Sequence, residues 1–144
     1  MKIAKVKAVK TPERGTPESA GIDFFVPDGI HAKLEPGGSC LIPSGIKANI
    51  PSGYALIAFN KSGIAVRKNL HVGASVVDED YQGEIHFNLA NVGLEDIMIN
   101  PGEKIIQFIL LPVFYDIIEE VKLENLYEKV TARGAGGFGS TGVE

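Results

Sequence analysis

Asp78, Asp80 and Tyr81 lie within one acidic stretch, Asp78-Glu79-Asp80-Tyr81-Gln82, set between two apolar runs. A carboxylate at such a turn can take a proton from water, and an aromatic ring beside it can pack against a sugar or a base. Acidic residues also favour turns and solvent for their own sake, so the stretch alone fixes no activity. A second candidate is the run Arg133-Gly134-Ala135-Gly136-Gly137-Phe138-Gly139-Ser140-Thr141-Gly142. Glycines let backbone N–H groups approach oxyanions, and arginine offers a planar fork to phosphate. Ser140 and Thr141 add hydroxyl donors, and Phe138 can stack on a base. Gly134, Gly136 and Gly139 have G-x-G-x-x-G spacing, but a dinucleotide fold needs a helix after the glycines and too little chain follows. No lysine follows them either, which excludes a Walker A loop.

Weaker candidates stand elsewhere. Lys61-Ser62-Gly63 places a cation and a hydroxyl at a tight turn, able to face an anion. Asp23 enters a strand after Ala20-Gly21-Ile22, and Gln107 interrupts the longest apolar run. His31, His71 and His86 lack the spacing of metal ligands, and no His-Glu-x-x-His or nucleophile triad is present.

The elements that must hold these residues read as strands. Short apolar runs punctuated by Gly and Pro predict an all-β domain rich in turns. Strands are expected over 4–9, 22–26, 30–34, 40–42, 46–50, 54–59, 97–99 and 104–114, the last bending at Pro112. Residues 72–77 and 83–90 are expected to form a hairpin around the acidic turn. Glu119–Val130 is the main helical candidate, weakened by Asn125 and Val130, with a further helical turn near Ile64–Arg67. The expected organisation is one β-barrel domain over 1–130 and a flexible glycine-rich tail over 131–144.

The chain has 144 residues and a net charge of −4, which suits a single acidic domain and disfavours duplex nucleic acid as a ligand. Cys40 is its single cysteine, so neither an internal disulfide nor a Cys-x-x-Cys zinc site is possible. The first ten residues carry spread lysines and no apolar core, and 105–114 is too short to span a bilayer. A cytoplasmic, soluble protein without membrane partners is the expectation.

The ordered set decides more than any one motif. Ala20-Gly21-Ile22-Asp23, Lys61-Ser62-Gly63, Gly73-Ala74-Ser75-Val76-Val77-Asp78-Glu79-Asp80-Tyr81-Gln82-Gly83-Glu84, Pro101-Gly102-Glu103-Lys104-Ile105-Ile106-Gln107 and the Arg133–Gly142 run follow one another. Together they resemble the five motifs of the trimeric dUTP diphosphatase (dUTPase) family, over nearly the whole chain. The third and fifth are the specific ones. The resemblance implies a jelly-roll-like distorted β-barrel and a homotrimer whose active sites each draw on three chains. It implies hydrolysis of dUTP to dUMP and pyrophosphate, with Mg²⁺ carried mainly by the triphosphate.

By motif match, Asp78 would activate the water that attacks the α-phosphorus. Tyr81 would pack under the deoxyribose and leave no room for a 2′-hydroxyl. Val72, Ser75, Val76, Val77 and His86 would flank uracil, read through backbone groups. Lys61, Ser62, Gly63 and Gln107 would hold phosphate oxygens or the water, and Asp23 would support the metal through its water shell. Arg133, Gly139, Ser140 and Thr141 would bind the terminal phosphate, with Phe138 over the base. Three departures stand out. Lys61 replaces the usual arginine and loses its bidentate fork. Ser75 stands where glycine is frequent, and Asn60 where proline is. The related dCTP deaminases need a glutamate where this chain has Asn88, which favours hydrolysis over deamination.

Overall fold

The computed structural model describes residues 1–137, so the expectations for Phe138, Gly139, Ser140 and Thr141 lie outside the described residues. Contacts divide the chain into one compact unit, Met1–Phe114, and a second beginning at Tyr115. Residues 115–130, expected with the barrel, fall in the second unit.

The compact unit is built of antiparallel strands, as the composition predicts. They are β1 (Lys2–Lys5), β2 (Glu13–Arg14), β3 (Ile22–Phe24), β4 (Ala32–Leu34), β5 (Ser39–Pro43), β6 (Ile46–Asn49), β7 (Tyr54–Asn60), β8 (Leu70–Val72), β9 (Val76–Val77), β10 (His86–Asn91), β11 (Ile97–Ile99) and β12 (Ile106–Pro112). A five-stranded sheet runs β2-β3-β12-β7-β9 and a three-stranded one β5-β10-β8, with β1-β6 and β11-β4 as separate pairs. This is the β-rich jelly-roll architecture.

Period-two burial explains the arrangement. In β10, Phe87, Leu89 and Asn91 point inward while His86 is exposed and Asn88 half-buried. In β12, Ile106 and Phe108 face the core and Gln107 turns away. Phe24, Phe87 and Phe108 meet with ring centroids 4.6 to 6.3 Å apart, so one aromatic cluster ties β3 and β12 to β10 across the two sheets. Each such ring contributes about 1.5–3 kcal/mol through burial. Inside, Asn91 is satisfied by donating to Leu34 O at 3.0 Å and Glu95 O at 2.7 Å.

Four expectations need correction. The segment 72–77 is not one arm of a hairpin. It divides at Gly73-Ala74-Ser75, so that β8 pairs with β10 while β9 pairs with β7. Exposed Val76 and the small residues before it let the chain leave one sheet for the other. The 4–9 strand is shorter and earlier, Lys2–Lys5, because Val9 turns into the core. The expected helix over 119–130 is only a 3₁₀ turn, Leu123–Asn125. Leu123, Leu126 and Val130 are exposed, so no packed face offsets the cost of helix nucleation. The helical turn near residue 64 is instead a full α-helix, α1 (Ser62–Lys68), closed by Asn69 in the left-handed region with its N–H on Ala65 O.

Candidate active site

β9 ends in a turn where Tyr81 N donates to Asp78 O at 3.2 Å. Glu79 ties this turn to its neighbour, accepting from Gly53 N and from Ser52 Oγ at 3.4 Å. Asp78 itself stays exposed. Tyr81 is folded back over the turn and its hydroxyl donates to Glu84 O at 2.9 Å. A Cβ at residue 83 would stand 2.2 Å from that hydroxyl oxygen, so only glycine lets the ring lie there. His86 Nδ1–H donates to the same Glu84 carbonyl at 2.8 Å, which sets the tautomer and leaves Nε2 outward.

The Glu84 side chain points the other way. Lys7 Nζ lies 2.7 and 2.8 Å from its oxygens and Gly45 N donates at 2.7 Å. Partial burial pushes this carboxyl up, but Lys7, the Gly45 N–H and His86 outweigh it, and the group rests below its ordinary value. The loop that carries Tyr81 and His86 is thereby anchored to β1's neighbourhood, 77 residues away in sequence.

Ser75, Val76, Val77, Asp78, Tyr81 and His86 line one cleft of about 190 Å³. Leu41, Ala74, Ile85, Asn88 and Phe108 complete it, none of them expected as a site residue. Asn88 carried a signal, since it lies two residues beyond His86 on the same strand face. Its Oδ1 accepts from Ala74 N at 2.9 Å, its Nδ2 donates to Cys40 O at 3.3 Å, and its main-chain oxygen accepts from Gly73 N at 2.9 Å. It therefore holds the sheet crossing open beside the cleft. Val72 stands apart, its N–H donated to Asn60 Oδ1 at 2.7 Å.

Asp23, Lys61 and Gln107 meet elsewhere, none of them lining that cleft. Asp23 and Gln107 are register partners on β3 and β12. Lys61 Nζ lies 2.7 and 2.9 Å from the two Asp23 oxygens, and Lys104 Nζ lies 3.3 Å from one of them. The Asp23 side chain is only 4% exposed. Gln107 Nε2 donates to Asn60 O at 2.8 Å. Ser62 is exposed at the start of α1, and Gly63 is half-buried. Arg133, in the second unit, is exposed and donates from Nε to Gly136 O at 2.9 Å.

The donor set does not fit a resident divalent ion within one chain. Among the described residues no three His, Cys, Asp or Glu side chains converge, and Asp23 is already neutralised by two lysines. No helix among the described residues is long and apolar enough to cross a membrane.

An antiparallel β-rich jelly-roll with an aspartate–tyrosine turn at a small cleft and a lysine-bearing turn elsewhere is a specific combination. Residues 7–142 match the dUTPase family model. The chain is 38% identical over 144 residues to a deoxyuridine 5'-triphosphate nucleotidohydrolase of Desulfitobacterium hafniense, covering 98% of this chain and 93% of that one. In fold it is similar to the dUTPase of Staphylococcus bacteriophage 80alpha, solved as a variant with dUpNHpp (TM-score 0.88, 24% identity, 99% and 98% of the two chains). It is also similar to a variant dUTPase of phage phi11 of S. aureus, described with a structural Mg(II) ion (TM-score 0.77, 20% identity, 84% and 95%). The chain belongs to the dUTPase family, a family of nucleotide hydrolases.

Proposed function

We propose that this protein hydrolyses dUTP to dUMP and pyrophosphate, keeping uracil out of DNA and supplying dUMP for dTMP synthesis. The observation that carries the reading is the Asp78–Tyr81 turn at the mouth of the cleft, within a chain of this family. At about 190 Å³ the cleft falls below the range of roughly 300–1,000 Å³ common for whole-ligand pockets. It suits a base and sugar rather than an entire nucleoside triphosphate. Uracil enters against the 75–77 backbone and the β10 face, and Tyr81 lies under the deoxyribose. Asp78 takes a proton from water as the water oxygen bonds to the α-phosphorus. The bond from that phosphorus to the bridging oxygen breaks, and pyrophosphate leaves. Mg²⁺ carried on the triphosphate would neutralise phosphate charge.

Ser62, Gly63 and Gln107 receive the phosphates, and Arg133, Phe138, Gly139, Ser140 and Thr141 close over the substrate, excluding bulk water. For Asp23 to reach the ion's water shell, a lysine must first release it. Two observations support a homotrimer with shared sites. The phosphate-side residues do not line the cleft of their own chain. Ile117 and Ile118, in the second unit, are each nine-tenths or more exposed, and exposed apolar side chains of this kind mark interaction surfaces. Sedimentation equilibrium should give a mass of three 15.4 kDa chains, and a monomer would sink the shared-site reading.

Pyrophosphate release with Mg²⁺ from dUTP, UTP, dCTP and dTTP, each alone, tests the activity. Turnover confined to dUTP supports it, and turnover of several or none overturns it.

A further inference from the structure

Two cations stand at the Lys61–Gly63 turn, and they are committed differently. Lys61 is drawn inward, its ammonium on both oxygens of Asp23. Moving it onto a ligand would leave a nearly buried carboxylate short of its nearest partner, which is costly. Arg67 lies one helical turn beyond Gly63 on α1 and is exposed. Its side chain bends back, with Nε donating to Gly63 O at 3.1 Å. Its Nη2 sits 2.8 Å from where a Cβ of residue 63 would stand, so the guanidinium lies directly over the glycine. Among the described residues no carboxylate lies within ion-pair distance of Arg67. Its Nη donors are therefore held beside Gly63 without a counter-charge among the described residues.

We propose that Arg67 is the phosphate-binding guanidinium of this turn, taking an oxygen of the substrate's triphosphate while Lys61 serves as an internal tie to Asp23. The proposal rests on the dUTP reading above. The planar fork suits a phosphate oxygen pair, and Gly63 is the residue whose missing side chain makes room for it. Using Arg67 breaks no ion pair, whereas using Lys61 breaks a buried one.

The test compares wild type with Arg67→Ala, Arg67→Gln, Arg67→Lys and the double variant Lys61→Arg/Arg67→Ala. Steady-state pyrophosphate release from Mg·dUTP gives KM and kcat. Calorimetry gives Kd for the imido analogue of dUTP and for dUMP. Loss of a charge-assisted contact should raise KM and the analogue's Kd about tenfold in Arg67→Ala and Arg67→Gln, with dUMP affinity and Tm unchanged. Arg67→Lys should recover part of the loss, while the double variant, whose cation at position 61 stays on Asp23, should recover none of it. Wild-type turnover of dUTP with unchanged KM and analogue affinity in Arg67→Ala and Arg67→Gln overturns this proposal alone. So does equal weakening of dUMP. Absence of dUTP turnover in the wild type overturns the parent reading and this one with it.

Discussion

The cleft beside Asp78 is open, small and walled by backbone and apolar groups, whereas the Asp23–Lys61–Gln107 cluster is closed, charged and internally satisfied. The first has a ready concavity, and its exposed carboxylate has no partner to give up. The second spends its charges on itself. A neutral base and sugar can thus be recognised by preformed walls, while a triphosphate must be met by groups that are free, exchanged or brought from elsewhere. Pre-organisation lowers the cost of binding at the first region, and ordering adds cost at the second.

The contrast can be broken first at Asp78. Asp78→Asn should lower kcat about a thousandfold, within the range for loss of a general base, while the imido analogue still binds. Pyrophosphate release at the wild-type rate would remove Asp78 from the chemistry. Deleting the chain from Arg133 onward should come next, reducing kcat/KM about a hundredfold through lost positioning. Barrel Tm should stay put, and a matching drop in Tm would make the tail structural.

On the closed side the expected damage is to stability. Asp23→Asn strands Lys61 and Lys104 and should cost about 2 kcal/mol in chemical denaturation, less than for a fully buried pair because both lysines reach solvent. No change would show that the cluster is not the self-satisfied unit its distances imply. Tyr81→Phe removes the hydroxyl's bond to Glu84 O, worth about 1 kcal/mol, and should erode discrimination between dUTP and UTP about fivefold. Selectivity that survived intact would mean that the ring needs no tether.

The smallest effect belongs to the Lys7–Glu84 tie. Glu84 rests below its ordinary value of 4.5 when folded, so its contribution is present above that value and fades as pH falls through the lower, folded one. Glu84→Gln should cost about 0.5 kcal/mol near neutrality and flatten the acid limb of stability against pH. An unchanged acid limb would assign acid unfolding to other carboxylates.

Much of this was legible in residue order. Ile97–Ile99 forms the strand its alternation predicts, and six of the expected ligand-flanking positions line one cleft. What escaped was non-local. Nothing near Gly73 announces that the chain changes sheets there, because the partners, β10 and β7, lie far away in sequence. α1 was underestimated because Gly63, Ile64 and Val66 lower local propensity, while its closure comes from the left-handed Asn69. Leu41 and Ile85 reach the cleft only through folding, and Lys7 finds Glu84 the same way. The 119–130 stretch failed for the opposite reason, since its composition tolerates a helix but nothing packs on one.

Tyr81 and His86 lean on one main-chain oxygen, that of Glu84. A carbonyl is common to every amino acid, so substitution at position 84 cannot delete it and natural selection can only shift it by moving the loop. Such a shift moves the Tyr81 and His86 rings together, and with them the proposed sugar and base walls. Descendants of this chain should therefore drift in ribose tolerance and in base preference as a correlated pair, with neither trait inherited alone.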